Sequence, residues 1–208
     1  SEGSANSYHS AKEYVNQVGL GHMCMYAYWR LAGSPPQTPF FQDVPAAHPY
    51  FLSIQALRQR GITSGCTAVT YCPEAQLTRG EMAVFVIRSA LGTGAFDFPA
   101  VPYFTDVAPA HPYFAYIQKM RQLGITVGCT ATQYCPDATV TRGQMAVFLI
   151  RGRPVGLGNA PAAPYFVDAG VTHPYFPQIQ KIRQLGITTG CTATQFCPEA
   201  LITRGQTG

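Results

Sequence analysis

Charge is what this chain lacks most. Only 12% of its 208 residues are Asp, Glu, Lys or Arg, about half the usual share for a soluble domain. No block of lysines or arginines is present, and the formal charge of +4 is mild. That argues against a polyanion-binding surface, so no nucleic-acid partner is expected. No apolar run approaches the ~20 residues a membrane-crossing helix needs, so no membrane span is expected either. Catalytic signatures are missing too. There is no nucleophile elbow, no H-E-x-x-H pair and no phosphate loop, which leaves no catalytic residue, no cofactor and no enzyme to expect. The repeated Asp and Glu positions suit capping and arginine pairing, and nothing in their spacing favours glycosidase geometry. The sequence opens at Ser1 without a methionine or a signal-like segment, which reads as a mature, processed product.

Apolar residues, by contrast, make up 47% of the chain, which excludes a disordered polymer. A neutral, polar and aromatic surface suits sugar contacts or subunit packing. There are seven cysteines. Six fall in evenly spaced pairs: Cys66/Cys72, Cys129/Cys135 and Cys191/Cys197. Such pairs in a weakly charged chain read as disulfides formed outside the cytoplasm, hence a secreted, extracellular or cell-surface protein. Zinc is the rival reading. A zinc site needs four ligands, each pair offers two, and no histidine lies nearby in sequence, so no metal is expected. Cys24 has no partner by spacing. It stands where Ala83 and Ala146 stand in the repeats, which suits a buried thiol, with a bond between subunits as the alternative.

Self-similarity dominates the rest. FQDVPAAHPYFLSIQALRQRGITSGCTAVTYCPEAQLTRGEMAVFVIR begins at Phe41. It returns from Phe104, and again from Phe166 without its final helix. Each copy predicts two helices. His48 and Pro49 read as N-cap and first helical residue, Phe51, Ile54 and Leu57 follow at helical spacing, and Gly61 stops the helix. A T-x-x-E capping box, Thr78 to Glu81, opens the second helix, and Gly92 closes it. The box recurs as Thr141 to Gln144 and Thr203 to Gln206. His48, His111 and His173 recur as caps, with a trinuclear metal site as the alternative. The expected fold is mainly α: two-helix repeats at 41–92, 104–152 and 166–208, joined through long disulfide-stapled loops. The third repeat lacks its second helix. Its counterpart is a helix at 21–33, whose Met23, Met25, Tyr26 and Trp29 match the stripe of Gly80 to Gly92; residues 1–20 form an extension. A unit of two helices cannot bury its apolar face alone, so the copies must pack together.

The motif order F-x-D-V, aromatic helix, G-I-x-x-G, C-P-[ED]-A and T-R-G-[EQ] resembles the S-layer homology family, over residues 41–208. The resemblance implies three units around a pseudo-threefold axis and anchoring to bacterial cell-envelope polysaccharide. It also implies that the arginine of the family's T-R-A-E motif lines grooves between units and meets acidic sugar substituents. The matching positions are Arg79, Arg142 and Arg204. This chain departs in having Gly80, Gly143 and Gly205 in place of the alanine, and in keeping the glutamate only at Glu81. The first-helix tryptophan is replaced by Tyr50-Phe51, and the cysteine pairs are not a general family feature.

An arginine in a first helical turn needs an anionic partner. Here it sits beside a glycine that exposes backbone amides, a suitable site for a carboxylate or phosphate. The partner can equally be internal, with Asp43, Asp106 or Asp168 available. Two functions follow as expectations. In one, the chain is a non-catalytic surface protein assembling head to tail, the 21–33 helix of one copy completing the third repeat of the next, with completion of its own chain's third repeat as the alternative. In the other, it is a monomeric anchor holding anionic envelope polysaccharide in arginine-lined grooves.

Overall fold

A computed structural model describes residues 38–152 and 160–207. Met23, Cys24, Met25, Tyr26 and Trp29, with the extension before them, lie outside the described residues.

The turn chemistry of each repeat decides where its helices start and stop. Its first helix is α1 (Phe51–Gln59) in repeat 1, α3 (Phe114–Gln122) in repeat 2 and α5 (Phe176–Gln184) in repeat 3. These helices begin later than the histidines suggest. The cap positions are Tyr50, Tyr113 and Tyr175, none with a side-chain cap. The histidines do accept backbone hydrogen bonds, but in the preceding turn. Nδ1 of His48 takes the Tyr50 amide at 3.1 Å, and His111 and His173 do the same for Tyr113 and Tyr175. The reason is local. The Phe51 amide donates to the His48 carbonyl at 2.9 Å, closing a turn that holds Pro49 before the helix forms. Each first helix ends in a Schellman motif. In repeat 1, Gly61 (φ +70) donates to Arg58 and Ile62 donates back to Leu57.

Second helices are α2 (Arg79–Leu91) and α4 (Arg142–Arg151). The Thr78–Glu81 box is complete, each side chain taking the other residue's amide. In repeat 3 the third box opens only the short 3-10 turn Gly205–Thr207. Among the described residues there are isolated β-bridges and no named strand.

Packing interlocks the repeats rather than closing each one on itself. α2 rests on α3, and α4 rests on α5. The second helix of one repeat is therefore the lid of the next repeat's first helix. A buried glutamine pins the incoming chain each time. Gln118 Oε1 accepts from the Tyr103 amide while its Nε2 donates to the Pro99 and Val101 carbonyls; Gln55 holds Phe40 and Thr38 in the same way.

The three repeats meet in a closed cycle of backbone hydrogen bonds. Leu77 donates to Ile202 (3.1 Å), Ile202 to Val140 (3.0 Å) and Val140 to Leu77 (2.9 Å). All three side chains are buried, each contributing about 1.5–3 kcal/mol by leaving water. Residues two further along the chain begin the T-R-G-[EQ] helices, so three helix N-termini fan out from one centre.

Between the helices lie the cysteine loops. Cys66–Cys72, Cys129–Cys135 and Cys191–Cys197 are disulfide-bonded. The aspartate of each F-x-D motif organises its loop. Asp43 accepts from the Tyr71 and Cys72 amides at 2.8 and 2.7 Å. Asp106 and Asp168 repeat the pattern. These carboxylates are thus committed to backbone amides, and Asp106 and Asp168 act on Arg79 and Arg142 through the attraction of opposite charges.

Candidate glycan grooves between repeats

Arg79, Arg142 and Arg204 are buried. Each reaches across to the following repeat. Arg79 Nε donates to the Tyr134 carbonyl at 2.8 Å, Arg142 Nε to Phe196 at 2.8 Å, and Arg204 Nε to Tyr71 at 3.0 Å. The third contact returns from repeat 3 to repeat 1 and closes the ring. The guanidinium carbons lie 4.8, 4.9 and 5.1 Å from the centroids of those same rings, within cation–π range. Arg79 also faces Phe148 of α4, and Arg204 faces Phe85 of α2. Tyr134 and Tyr71 answer by donating their hydroxyls to the Arg79 and Arg204 carbonyls at 2.8 Å. Burial pushes the Tyr71 phenol up to about 12 and that of Tyr134 further up. The same desolvation lowers the pKa of Arg79 and Arg142, yet a guanidinium stays charged at any ordinary pH.

The glycine amides are not turned outward as the sequence suggests. Gly80 donates to Pro136, Gly143 to Pro198 and Gly205 to Pro73, each at 2.8 Å. The preceding arginine amides donate to Ala138, Ala200 and Ala75. Orphan donors of each helix start are thus consumed by the C-P-[ED]-A loop of the next repeat. The glycines have a steric cause instead. A Cβ on Gly80 would lie 2.3 Å from Tyr113 Cδ2; on Gly143 or Gly205 it would strike Tyr175 or Tyr50 similarly. Glycine at this position and tyrosine in the H-P-Y-F string form one packing unit. Gly80→Ala is expected to lower stability by about 1–3 kcal/mol through overpacking, and Tyr113→Ala in the same chain should recover part of it; a denaturant titration of the four variants measures the coupling.

Where α2 meets α3 the surface opens into a groove of about 240 Å³. Ile62 and Gly65 form one wall, Tyr113 and Tyr116 the other, and Glu81, Arg88 and Arg204 line it as well. Glu81 Oε1 lies 2.7 Å from Arg204 Nη1. Arg88 Nε donates to the Tyr116 hydroxyl at 3.2 Å, and its guanidinium lies 5.6 Å from that ring's centroid. Cation, carboxylate and aromatic rings therefore share one cleft, a mixture that suits sugar hydroxyls and an acidic substituent. The H-P-Y-F tyrosines, Tyr113 among them, are candidate sugar-stacking platforms from the sequence as Arg204 is a candidate anion site, whereas Arg88 and Tyr116 are not marked out there as neighbours of the cleft. The signal was available in the recurrence of Arg88 as Arg151. Among the described residues, no group of three or more His, Cys, Asp or Glu could hold a metal ion, and no helix is long and apolar enough to cross a membrane.

The sequence profile of the S-layer homology domain matches residues 40–83 and again 103–146. The chain carries tandem S-layer homology domains. Repeat 3 lies beyond those two matches and still makes the same hydrogen bonds. Similar proteins include an S-layer protein of Bacillus thuringiensis subsp. finitimus, 26% identical over 167 residues, 80% of this chain and 20% of that protein. The surface-layer 125 kDa protein of Lysinibacillus sphaericus is 30% identical over 115 residues, 53% of this chain and 10% of its own. An endoglucanase of Bacillus sp. (strain KSM-635) is 33% identical over 125 residues, 60% of this chain and 13% of the enzyme. The chain thus spans a fifth or less of these relatives' lengths. Together with the S-layer homology domains, the S-layer relatives make this a prokaryotic cell-surface protein.

Proposed function

We propose that the chain is an anchoring unit that holds anionic cell-envelope polysaccharide in the grooves between its repeats. The observation that carries this reading is the convergence of Arg204, Arg88, Tyr113 and Tyr116 in the α2–α3 groove. Aromatic faces stack on sugar rings, and guanidinium groups meet acidic substituents. The test is retention on purified envelope polysaccharide. Arg88 and Tyr116 are half-buried groove residues outside the Leu77–Val140–Ile202 cycle, although Arg88 also bonds the Gly61 and Ile62 carbonyls. The variant Arg88→Ala with Tyr116→Ala is expected to bind at least ~10-fold more weakly, about 1.4 kcal/mol, with its melting temperature reported alongside. Retention at wild-type strength by that folded double variant would remove the groove from the account.

Head-to-tail assembly through residues 21–33 is the second reading. Its support is the match of Gly21 to Gly33 with Gly80 to Gly92, together with the interlock of α2 on α3, which shows how a second helix covers the first helix of a following repeat. Sedimentation of the purified chain over a concentration series decides it, and a monomer throughout would end it.

A further inference from the structure

The interlock of the repeats marks a place for a third second helix, and that place is on repeat 1. α2 starts where Gly80 packs on Tyr113 and runs on over α3; α4 starts where Gly143 packs on Tyr175 and runs on over α5. Gly205 packs on Tyr50 in the same way, so the helix that belongs to the third capping box lies over α1. The 3-10 turn Gly205–Thr207 supplies its first turn, in the positions of Gly80 to Met82. Among the described residues, α3 and α5 each carry a second helix and α1 carries none.

We infer that residues 24–33 dock on α1 of their own chain and complete the ring there. Aligning Gly21 to Gly33 on Gly80 to Gly92 puts Tyr26 and Trp29 at the positions of Phe85 and Arg88. Both positions suit α1. Arg88 stands against Tyr116 of α3, and the residue of α1 in the place of Tyr116 is Ser53. A large Trp29 over a small Ser53 fills the contact from one side, as facing positions do when a bulky residue meets a slight one. Phe85 and Phe148 are each the second ring beside an arginine, Arg204 and Arg79. By the same cycle Tyr26 comes to Arg142, whose first ring is Phe196.

The tether decides whose α1 is covered. Only residues 34–37 lie between Gly33 and Thr38. Gln55 of α1 holds the Thr38 carbonyl at 2.6 Å and the Phe40 amide at 3.0 Å. Five peptide steps reach about 17 Å, enough to double back along residues 24–33, about 15 Å long as a helix. Repeat 2 uses the same arrangement with a longer link, residues 92–100 between Leu91 of α2 and Val101, whose carbonyl Gln118 of α3 holds. A helix tied so closely meets its own α1 at an effective concentration on the order of millimolar, which a neighbouring chain in dilute solution does not match. The inference is independent of the glycan ligand. It agrees with a monomeric anchor and opposes the head-to-tail reading, which uses the same helix on another chain.

Cross-linking tests it in a Cys24→Ala background, which removes the cysteine outside the three bridged pairs. Trp29→Cys and Ser53→Cys are introduced together and joined with a short bis-maleimide. The expected product is a cross-linked monomer, formed only when both thiols are present and in a yield that does not change on dilution. Cross-linked dimers whose yield falls on dilution would overturn docking within the chain and support exchange between chains. No cross-link in a folded variant would overturn docking on α1. Trp29 is the chain's only tryptophan, so the unaltered protein gives a second readout. Its fluorescence is expected to be shielded from a soluble quencher at every protein concentration. Ser53→Tyr, which puts the residue of α3 in the way of Trp29, is expected to remove that shielding. A wild-type Trp29 quenched as readily as free tryptophan would overturn the docking whatever the cysteine variants do. Polysaccharide retention is measured apart from all of these, so the anchoring reading stands or falls separately.

Discussion

Reducing the three disulfides is expected to lower the melting temperature by about 15 °C, the largest effect on stability foreseen for this chain. Each bridge joins cysteines six residues apart. Closing so short a loop removes roughly 2 kcal/mol of unfolded-state entropy, and three such loops roughly 6–7 kcal/mol. That sum compares with the 5–15 kcal/mol by which whole domains are stable. For a chain of this size each kcal/mol moves the midpoint by about 2–4 °C. The loops also do long-range work. Pro73 and Ala75 follow Cys72 directly and accept the Gly205 and Arg204 amides that close repeat 3 onto repeat 1. Opening Cys66–Cys72 should therefore weaken ring closure as well as the local loop. A thermal melt with and without reductant checks the total. Replacing one pair at a time by serine should show the Cys66–Cys72 pair costing at least as much as either of the others. A melt indifferent to reductant would mean that the loops are held by their aspartates alone.

Much of the fold was legible because its signals are local. Thr78 and Glu81 announce a helix start within four residues, Gly61 and Gly92 announce helix ends, and the cysteine pairs state their own partners. The family resemblance rested on the same local strings. What could not be read is where the arginines go. The bonds of Arg79 run to Tyr134 and Ala138, in the following repeat, and a helix start read alone shows only unsatisfied amides. That is why Gly80, Gly143 and Gly205 looked like presented donors when their amides were already taken. Local rules also misplaced the first helices. A proline after a histidine satisfies the preference for proline at the first helical position, but the His48–Phe51 turn forms first and uses the proline differently. The interlock of α2 on α3 follows from the linker path held by Gln118, which no repeat-by-repeat reading contains.

Gly128→Ala is expected to be, with its counterparts at Gly65 and Gly190, among the most damaging single methyls in the described residues, at about 4 kcal/mol or more. Two separate penalties meet there. Gly128 holds φ at +99, a region that costs a side-chain-bearing residue about 1–3 kcal/mol. Its added Cβ would also lie 2.4 Å from the Thr130 carbonyl oxygen, 2.5 Å from that of Gln133 and 2.8 Å from Phe104 Cε1. None of the three can retreat easily. The carbonyls belong to the loop closed by Cys129–Cys135, and they accept or flank its turn bonds from Cys129 and Thr130. Phe104 is buried against Tyr134 at 5.6 Å between centroids. Gly124→Ala separates the two penalties, since that position is also at positive φ (+70) but has nothing within 4 Å of an added Cβ. It should cost about 1–2 kcal/mol from conformation alone. Denaturant titrations of both variants measure the difference, which is the clash. The consequence reaches the grooves, because Gly65, the counterpart of Gly128 in repeat 1, forms a wall of the α2–α3 cleft. Equal losses for the two alanines would show that the loop yields, and that the second glycine of the G-I-x-x-G string is set by backbone angle rather than by the closeness of its neighbours.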